Sequence, residues 1–399
     1  MHKTLRNLIN NFIMGIFLLS ACTMRGPLEA TSTATATRTK SLSTATTIPS
    51  TTPRPTTTPS SIPTATPLVA GPEKYPEGMN PLTGLMVDNP DLLNRRPLMI
   101  KVSNFPREGR PHAGLSQADI VFDYFIGEGT NRFIALFYGQ DAERVGPVRS
   151  GRLVDAQLVR LYQGILGYAS ADPFNVNPTI LNQLGNRAVS QSPKTCPALC
   201  DIGPHSVFSV FANTAELTRH HQQLSGNPDL QPELGGMFFK STKPENGLPA
   251  ELLTIQYNAY NIGEWQFEQD TGKYLRWIES VDADNNLRMI PLIDRNNDTL
   301  IDAENVIILF APYTQYAPTL HDVGLWYNWD GQRAVLFRDG VAVEGIWKFV
   351  GTDRPLQFFN EAGESLALKP GNTWIILGGL NSTLEEKTPG HWTFQFMLP

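Results

Sequence analysis

Charged residues are scarce in this sequence of 399 residues: they make up 18% of the chain, and their formal net charge is −6. The chain therefore has no basic field to attract nucleic acid, and we expect no nucleic-acid partner. The hydrophobic fraction is nevertheless 41%, which is enough to fill folded cores. At this length we expect two folded domains in addition to a leader and a linker.

Motifs of common enzyme classes are also missing. The sequence contains no His-Glu-x-x-His motif, no P-loop and no glycine fingerprint for a dinucleotide. Ser150 lies between Arg149 and Gly151, outside any Gly-x-Ser-x-Gly elbow. We therefore expect no cofactor and no metal site, and these absences favour a non-catalytic role.

The N-terminal apolar run, Leu8–Leu19, is shorter than the roughly 20 residues of a membrane-spanning helix. It follows a weakly basic start and predicts a signal peptide over residues 1–21. The segment that ends it, Leu18-Leu19-Ser20-Ala21-Cys22, resembles the lipobox of bacterial lipoproteins. The resemblance implies that Cys22 is lipidated and anchors the protein to the cell membrane, facing outside the cytoplasm. An ordinary secretory leader is the alternative.

Cysteine is rare, with three residues in the whole chain. Once Cys22 carries lipid, Cys196 and Cys200 remain, and an even remainder in an exported protein predicts a local disulfide. A zinc site would need further Cys or His residues at metal spacing, and none flank this pair.

Residues 22–72 consist almost entirely of Thr, Ser, Ala and Pro. Such a composition cannot bury enough apolar surface to fold, so it predicts a disordered tether. Roughly 50 residues of this kind span about 40 Å as a coil and up to about 150 Å if polyproline-like. We expect a folded head held at a distance from a membrane.

Residues 73–234 mix strand and helix patterns, which predicts an α/β N-terminal domain. The predicted strands are Leu98–Val102, Ile120–Ile126, Phe133–Tyr138 and Gly164–Ala169, and the predicted helices are Leu153–Tyr162, Asn177–Leu184 and Phe208–Leu224.

A linker over residues 235–251 leads to a smaller C-terminal domain, residues 252–399, made of short β-type runs and turn signals. Asp339-Gly340 between two apolar runs predicts a hairpin. Overall the sequence predicts an α+β chain: a mixed α/β domain followed by a mostly antiparallel β domain. The predicted strands are Ile255–Tyr260, Trp265–Glu268, Tyr274–Ile278, Val306–Phe310, Gly324–Trp329, Ala334–Phe337, Val343–Phe349, Gln357–Phe359 and Trp374–Leu377.

Several stretches together resemble the YerB-type bacterial lipoproteins, a family classed as domain of unknown function 3048. They are RPLMIKVSN, SQADIVFDYFIGEGTNRFIALF, VGPVRSGR, GQRAVLFRDGVAVEGIWK and LKPGNTWIIL. The resemblance runs from about Asn80 to Leu398 and implies an N-terminal domain, a smaller C-terminal domain and an envelope location. It implies no particular reaction.

Position by position, the family pattern covers both predicted domains. It falls on Glu128, Gly129, Thr130, Arg132, Gly146, Pro147, Arg149, Ser150 and Arg152, then on Gly340, Trp347, Pro370, Gly371 and Trp374. The chain departs from the family where a Gly-Gly-Ser-Pro turn is usual, because it has Ala169-Ser170-Ala171-Asp172-Pro173. That departure weakens the transfer of any ligand held by the turn.

The stretch from Arg96 to Asp155 carries the candidate ligand-binding residues, at or beside predicted strand ends. A guanidinium fork suits carboxylate and phosphate, so clustered arginines fit acidic wall glycans or phosphodiesters. The candidates are His112, Glu128, Arg132, Arg149 and Arg152. The alternative is a buried brace, in which the arginines pair with Asp119, Asp123, Glu128 and Asp155.

A carboxylate pair for glycan hydrolysis is a competing hypothesis. Asp119 and Asp123, four residues apart on a predicted strand, would lie about 13 Å apart, too far for such a pair. Glu128 with Asp155 or Asp172 stays open. We therefore favour a non-catalytic binding or accessory module of the cell envelope, with cell-wall glycan or an envelope protein as partner. The alternative is a cell-wall glycan hydrolase using Glu128.

Two further patterns have a functional and a structural interpretation. Asp294–Asp302 resembles the start of a calcium loop but lacks its sixth-position glycine, so a polar turn is the alternative. Aromatic residues of the C-terminal domain suit either sugar stacking or a β core, and the core is favoured. They are Trp326, Tyr327, Trp329, Trp347 and Trp374.

Overall fold

The computed structural model describes residues 67–226 and 231–399. The predicted signal peptide, the lipidation site Cys22 and most of the predicted tether lie outside the described residues. Strands account for 43% of the structure and helices for 14%. The sequence predicts a mixture of helices and strands, whereas the structure is rich in β-sheet and has few helices.

In the first described range, the strands are β1 Val69–Ala70, β2 Met79–Asn80, β3 Leu85–Met86, β4 Leu98–Ser103, β5 Ile120–Gly127, β6 Thr130–Phe137, β7 Ile165–Tyr168, β8 Ala188–Ser190, β9 Leu199–Asp201 and β10 Val210–Ala212. The α-helices of that range are α1 Leu153–Leu161, α2 Val176–Leu184 and α3 Thr214–Ser225. Short 3-10 helices lie at Pro90–Asn94, Arg107–Gly109, Leu115–Gln117, Gly185–Arg187 and Pro193–Thr195.

In the second described range, the strands are β11 Phe238–Lys240, β12 Leu248–Asn258, β13 Asn261–Glu268, β14 Lys273–Val281, β15 Leu287–Pro291, β16 Asp302–Ala303, β17 Asn305–Ala311, β18 Tyr313–Ala317, β19 Leu320–Val323, β20 Gln332–Arg338, β21 Val341–Lys348, β22 Gln357–Phe359, β23 Ala367–Leu368, β24 Thr373–Gly379, β25 Thr383–Thr388 and β26 Gly390–Gln395.

A long mixed sheet has the strand order β22–β21–β20–β17–β24–β5–β6–β4–β7–β8. β24 lies parallel to β5, with Thr373 opposite Ile120, so strands from both predicted domains share this sheet. The domain boundaries stay a prediction. β4, β7 and β8 are mutually parallel, and their carboxyl ends therefore meet at one edge.

A second sheet packs against one face of the long sheet. Its order is β25–β26–β12–β13–β14, with β15 and β16 both paired to β14. Trp265 of β13 meets Trp374 of β24 at 5.1 Å between ring centroids. Tyr257 of β12 donates a hydrogen bond of 2.9 Å to Asp123 of β5. The core between the sheets is therefore rich in aromatic rings.

α1 covers the opposite face of the long sheet. Successive residues of a strand point to opposite faces, so Tyr124 points away from the second sheet that its neighbour Asp123 contacts. The hydroxyl of Tyr124 bonds instead to Asp155 of α1. α1 buries Val154, Leu158 and other apolar side chains at helical spacing, as an amphipathic helix on a sheet requires.

The predicted hairpin at Asp339-Gly340 is confirmed, since β20 and β21 pair from Arg338 and Val341 outward. Asp339 and Gly340 have φ values of 51° and 72°, as two-residue hairpin turns often require. A Cβ on Gly340 would come within 2.7 Å of the Phe267 ring. Gly340 is therefore needed for both its conformation and its small size.

Two predicted elements need correction. The sequence predicts a strand over Gly324–Trp329, but the structure has a turn there, with Tyr327 at a φ of 68°. The predicted helix Phe208–Leu224 begins only at Thr214, because Val210–Ala212 pairs with β9. Asn213 caps this helix by accepting a hydrogen bond from the Glu216 amide.

Two polar or linking segments are more ordered than their composition indicates. Val69–Ala70, within the predicted tether, pairs with Phe239 and Lys240, within the predicted linker. In the calcium-like segment, the Asp294 carboxylate accepts hydrogen bonds from the amides of Gly114 and Ser116, both at 2.9 Å. This segment therefore ties two distant loops together.

Candidate functional site

The candidate site lies where β4 and β7 diverge at their carboxyl ends. The segment Val148–Gly151 inserts between them: the Arg149 amide donates to Lys101 of β4 at 2.8 Å, and the Arg149 carbonyl accepts from Ala169, beyond β7, at 2.9 Å. The chain then enters α1 directly. Ligands of open α/β sheets commonly bind outside the carboxyl ends of parallel strands, beside helix N-termini.

Arg132, Arg149 and Arg152 are brought together around this segment. Arg132 and Arg152 both donate to the carbonyl oxygen of Ser150, at 2.8 and 3.4 Å, and Arg152 also donates to Gly151 at 2.9 Å. Arg149 donates to the carbonyl of Val207 at 3.1 Å. Within residues 67–226 and 231–399, none of these three guanidinium groups forms an ion pair with a carboxylate.

The electrostatics of these arginines reflect burial and mutual repulsion. Burial, together with the charges of Arg152 and Arg149, lowers the pKa of Arg132 to about 9. Burial and the charge of Arg152 likewise lower the pKa of Arg149. The Nε atoms of all three side chains are buried without a hydrogen-bond partner. A buried donor without an acceptor is energetically costly.

Lys101, Tyr124 and Asp155 form a buried hydrogen-bonded triangle close to the arginines. The Lys101 ammonium contacts the Tyr124 hydroxyl and lies 3.2 Å from Asp155 Oδ1, and the Tyr124 hydroxyl also bonds to that oxygen. Burial lowers the pKa of Lys101 to about 7, although Asp155 opposes the shift. Asp155 also accepts the Arg152 amide at 2.7 Å and so caps α1.

Sequence reasoning missed Lys101 and Tyr124 as parts of the site. The sequence signal for them is the lysine within the apolar run Leu98-Met99-Ile100-Lys101-Val102. A lysine on a buried strand needs a polar partner, and Lys101 is fully buried. In the alternative brace Asp155 pairs with the arginines, but its carboxylate bonds to Lys101, Tyr124 and the Arg152 amide.

The rim of the site contains hydroxyl groups and one carboxylate. Ser150 and Ser170 place their Oγ atoms 3.1 Å apart. Asp172 is near enough to Arg152 to influence its charge, yet its Oδ1 already accepts the Asn175 amide at 2.7 Å. That hydrogen bond lowers the pKa of Asp172. Ser170 and Asp172 of the rim thus both belong to the segment that follows β7.

His112 and Glu128 do not join the arginine cluster. His112 is buried, with Nε2 at 2.7 Å from the Ser103 carbonyl and its ring edge-on to Phe133. Burial and the charge of Arg110 lower the pKa of His112 to about 3. Glu128 is exposed in the turn between β5 and β6, at a φ of 51°. In the described ranges, no side-chain hydrogen bond or ion pair links either residue to the three arginines.

The alternative of an internal brace does not form through ion pairs of these arginines among the described residues. Asp119 accepts the amides of Tyr138 and Gly139, at 2.5 and 2.9 Å. Asp123 faces Arg276 of the second sheet at 3.7 Å. Asp155 is fully buried at the base of the site. The carboxylates near Arg132, Arg149 and Arg152 in sequence are therefore committed elsewhere.

The predicted disulfide is present between Cys196 and Cys200, whose Cα atoms are 4.7 Å apart.

The aromatic residues divide between core and surface. Trp347 and Trp374 are fully buried, whereas Tyr327 and Trp329 are exposed. Along the described residues, no helix combines the length and the apolar character needed to cross a bilayer.

Comparison with known proteins defines the family. The model described as "Protein of unknown function (DUF3048) N-terminal domain" matches residues 82–221, and the corresponding C-terminal domain model matches residues 253–375. The arginine segment lies within the first match. The chain belongs to the DUF3048 family, and the expected family resemblance is confirmed.

One similar protein is "Putative lipoprotein YerB" of Bacillus subtilis (strain 168). It is 25% identical over 323 residues, which cover 78% of this chain and 89% of that protein. The crystal structure of YerB from Bacillus subtilis has the same fold, with a TM-score of 0.59 and 23% identity. That match covers 75% of this chain and 96% of the crystallised one.

Proposed function

We propose that the protein is a membrane-anchored, extracytoplasmic lipoprotein whose head is a non-catalytic binding module of the cell envelope. Its binding site is the arginine cluster Arg132, Arg149 and Arg152, and its ligand is an acidic group on a cell-wall glycan or an envelope protein. The observation that carries the proposal is the convergence of three guanidinium groups, none of which forms an ion pair with a carboxylate among the described residues.

The chemistry of the arginine cluster supports anion binding more than a purely structural role. Guanidinium groups held at fixed positions by backbone carbonyls are preorganised for an anion, and preorganisation reduces the entropic cost of binding. Their partly desolvated position strengthens each charge-assisted hydrogen bond. The two carboxylates beside them are engaged in other contacts, since Asp155 is buried and Asp172 accepts the Asn175 amide before α2.

The anchoring part of the proposal comes from the sequence before the described residues. The lipobox-like Leu18-Leu19-Ser20-Ala21-Cys22 and the word "lipoprotein" in the name of the Bacillus subtilis relative support lipidation of Cys22. Metabolic labelling with radioactive palmitate tests it. Label is expected in the wild-type protein and lost in Cys22→Ala, and label retained in Cys22→Ala would contradict anchoring at this residue.

The binding part is tested by capture from solubilised membranes and wall fragments, with full-length Arg149→Gln as the comparison. The Arg149 side chain is half-buried, so this change should spare the fold. We expect wild-type protein to retain acidic wall fragments or an envelope protein, and Arg149→Gln to lose them. Equal capture by both proteins would contradict the site. Release of soluble fragments from peptidoglycan would instead favour the hydrolase.

A further inference from the structure

The three arginines approach one region from different parts of the fold. Arg132 comes from β6, Arg149 from the inserted segment and Arg152 from the residue that precedes α1. Two of them meet at the Ser150 carbonyl. Donors that converge from several directions suit an anion whose oxygens also point in several directions.

The Arg132 side chain is the most buried of the three, with 7% of the residue exposed. Its Nε atom has no hydrogen-bond partner, and the same holds for the Nε atoms of Arg149 and Arg152. These donors are unsatisfied although each guanidinium already bonds to backbone. The three arginines therefore keep unused N–H donors at this site.

Two other groups add donors at the same place. The Ser150 and Ser170 hydroxyls lie 3.1 Å apart beside the arginines. α1 starts at Leu153, immediately after Arg152, and the first amides of a helix lack acceptors within that helix. Asp155 accepts only the Arg152 amide among the backbone donors of this turn. Gly151 keeps the turn close, since a Cβ there would come within 2.8 Å of Ile180.

We infer that the acidic group held here is a phosphoryl group, an inference that rests on the proposed binding function. A carboxylate is planar, carries one charge and is satisfied by a single guanidinium fork. A phosphate monoester offers three oxygens and nearly two charges, all of which can accept hydrogen bonds. Three arginines, two hydroxyls and a helix N-terminus match the phosphoryl group in both charge and shape.

The test compares anions on the full-length protein in detergent by isothermal titration calorimetry. The phosphoryl probes are inorganic phosphate, glucose 1-phosphate, and dihexanoyl phosphatidic acid as a lipid source. The carboxylate probes are acetate and glucuronate. Phosphoryl probes are expected to bind at least about tenfold more tightly than carboxylates, the effect of one additional charge-assisted hydrogen bond. The two phosphate esters separate a sugar source from a lipid source.

Variants link the preference to the site. Arg152→Gln and Arg149→Gln are expected to weaken phosphate binding about 10- to 100-fold, while Arg219→Gln on α3 leaves it unchanged. The order of probe affinities measured on the wild-type protein does not depend on whether the variants fold. If glucuronate binds as tightly as glucose 1-phosphate, the result contradicts the phosphoryl assignment but supports an anion site. If no probe of either class binds, the proposed function falls as well.

Discussion

Arg132 and Arg152 donate hydrogen bonds to the same oxygen, the backbone carbonyl of Ser150, at 2.8 and 3.4 Å. One neutral acceptor cannot offset two positive charges, so each arginine destabilises the other in the free protein. An anion between them would convert this repulsion into attraction. Groups strained or repelled in the unliganded state are typical of binding sites.

Removal of Arg149 should therefore stabilise the free protein and reduce its response to anions. We expect Arg149→Gln to raise the free energy of unfolding by up to about 1 kcal/mol, because one repulsive charge at a partly exposed position is lost. Thermal denaturation with and without sulfate measures both effects. Arg219→Gln controls for the general stabilisation that sulfate gives to folded proteins. An undiminished sulfate response in Arg149→Gln would contradict the site.

Lys101 should make anion binding depend on pH. Burial lowers the pKa of Lys101 to about 7, so the side chain gains its positive charge as the pH falls through 7. Sulfate stays dianionic over this range, and its affinity should rise about three- to tenfold between pH 8.5 and pH 6. Lys101→Met should flatten the profile in calorimetric titrations. An equally steep profile in Lys101→Met would exclude Lys101 as its cause.

Breaking the buried pair between the two sheets should destabilise the fold. Arg276 lies 3.7 Å from Asp123, and its guanidinium carbon is 5.0 Å and 5.5 Å from the ring centroids of Trp265 and Trp374. Arg276→Met would leave a buried carboxylate without its cation and should cost about 3–5 kcal/mol in urea unfolding.

The double variant Asp123→Asn/Arg276→Met removes both charges and should recover part of the loss caused by Arg276→Met alone. Equal losses in the single and double variants would show that the ion pair itself is not the cause. A loss below about 1 kcal/mol in Arg276→Met would show that the pair contributes little.

The disulfide should contribute modestly, since it closes a loop of sequence separation 4. Replacement of both Cys196 and Cys200 by serine is expected to lower the free energy of unfolding by about 2 kcal/mol. Denaturation under oxidising conditions measures the change. A loss of secondary structure in native buffer would mean that the bridge is needed for folding itself.

Local patterns in the sequence predict the strands of the head well. The apolar runs Leu98–Val102 and Ile120–Ile126 become β4 and β5 with nearly the predicted bounds. The parallel pairing of β5 with β24 could not be predicted in this way, because it joins distant segments without a connecting turn. Tertiary packing also overrides pattern at Gly324–Trp329, where a positive φ at Tyr327 ends strand pairing.

The site could be predicted only in part for the same reason. Arg149 and Arg152 are close in the chain. The position of Arg132 beside them depends on the register with which β6 pairs with β4. His112 and Glu128 share that stretch of sequence, but they lie apart from the arginines. The Lys101 partnership with Tyr124 and Asp155 is a contact between two strands and a helix, which no single segment encodes.

The most direct test of the anion site is equilibrium dialysis of radiolabelled sulfate against the full-length protein in detergent at pH 6.5. We predict one sulfate bound per wild-type chain and at least about tenfold weaker binding by Arg132→Gln/Arg152→Gln, the loss of one or more charge-assisted hydrogen bonds. Arg219→Gln should bind like the wild type. Sulfate binding of unchanged affinity in the double variant would contradict the site.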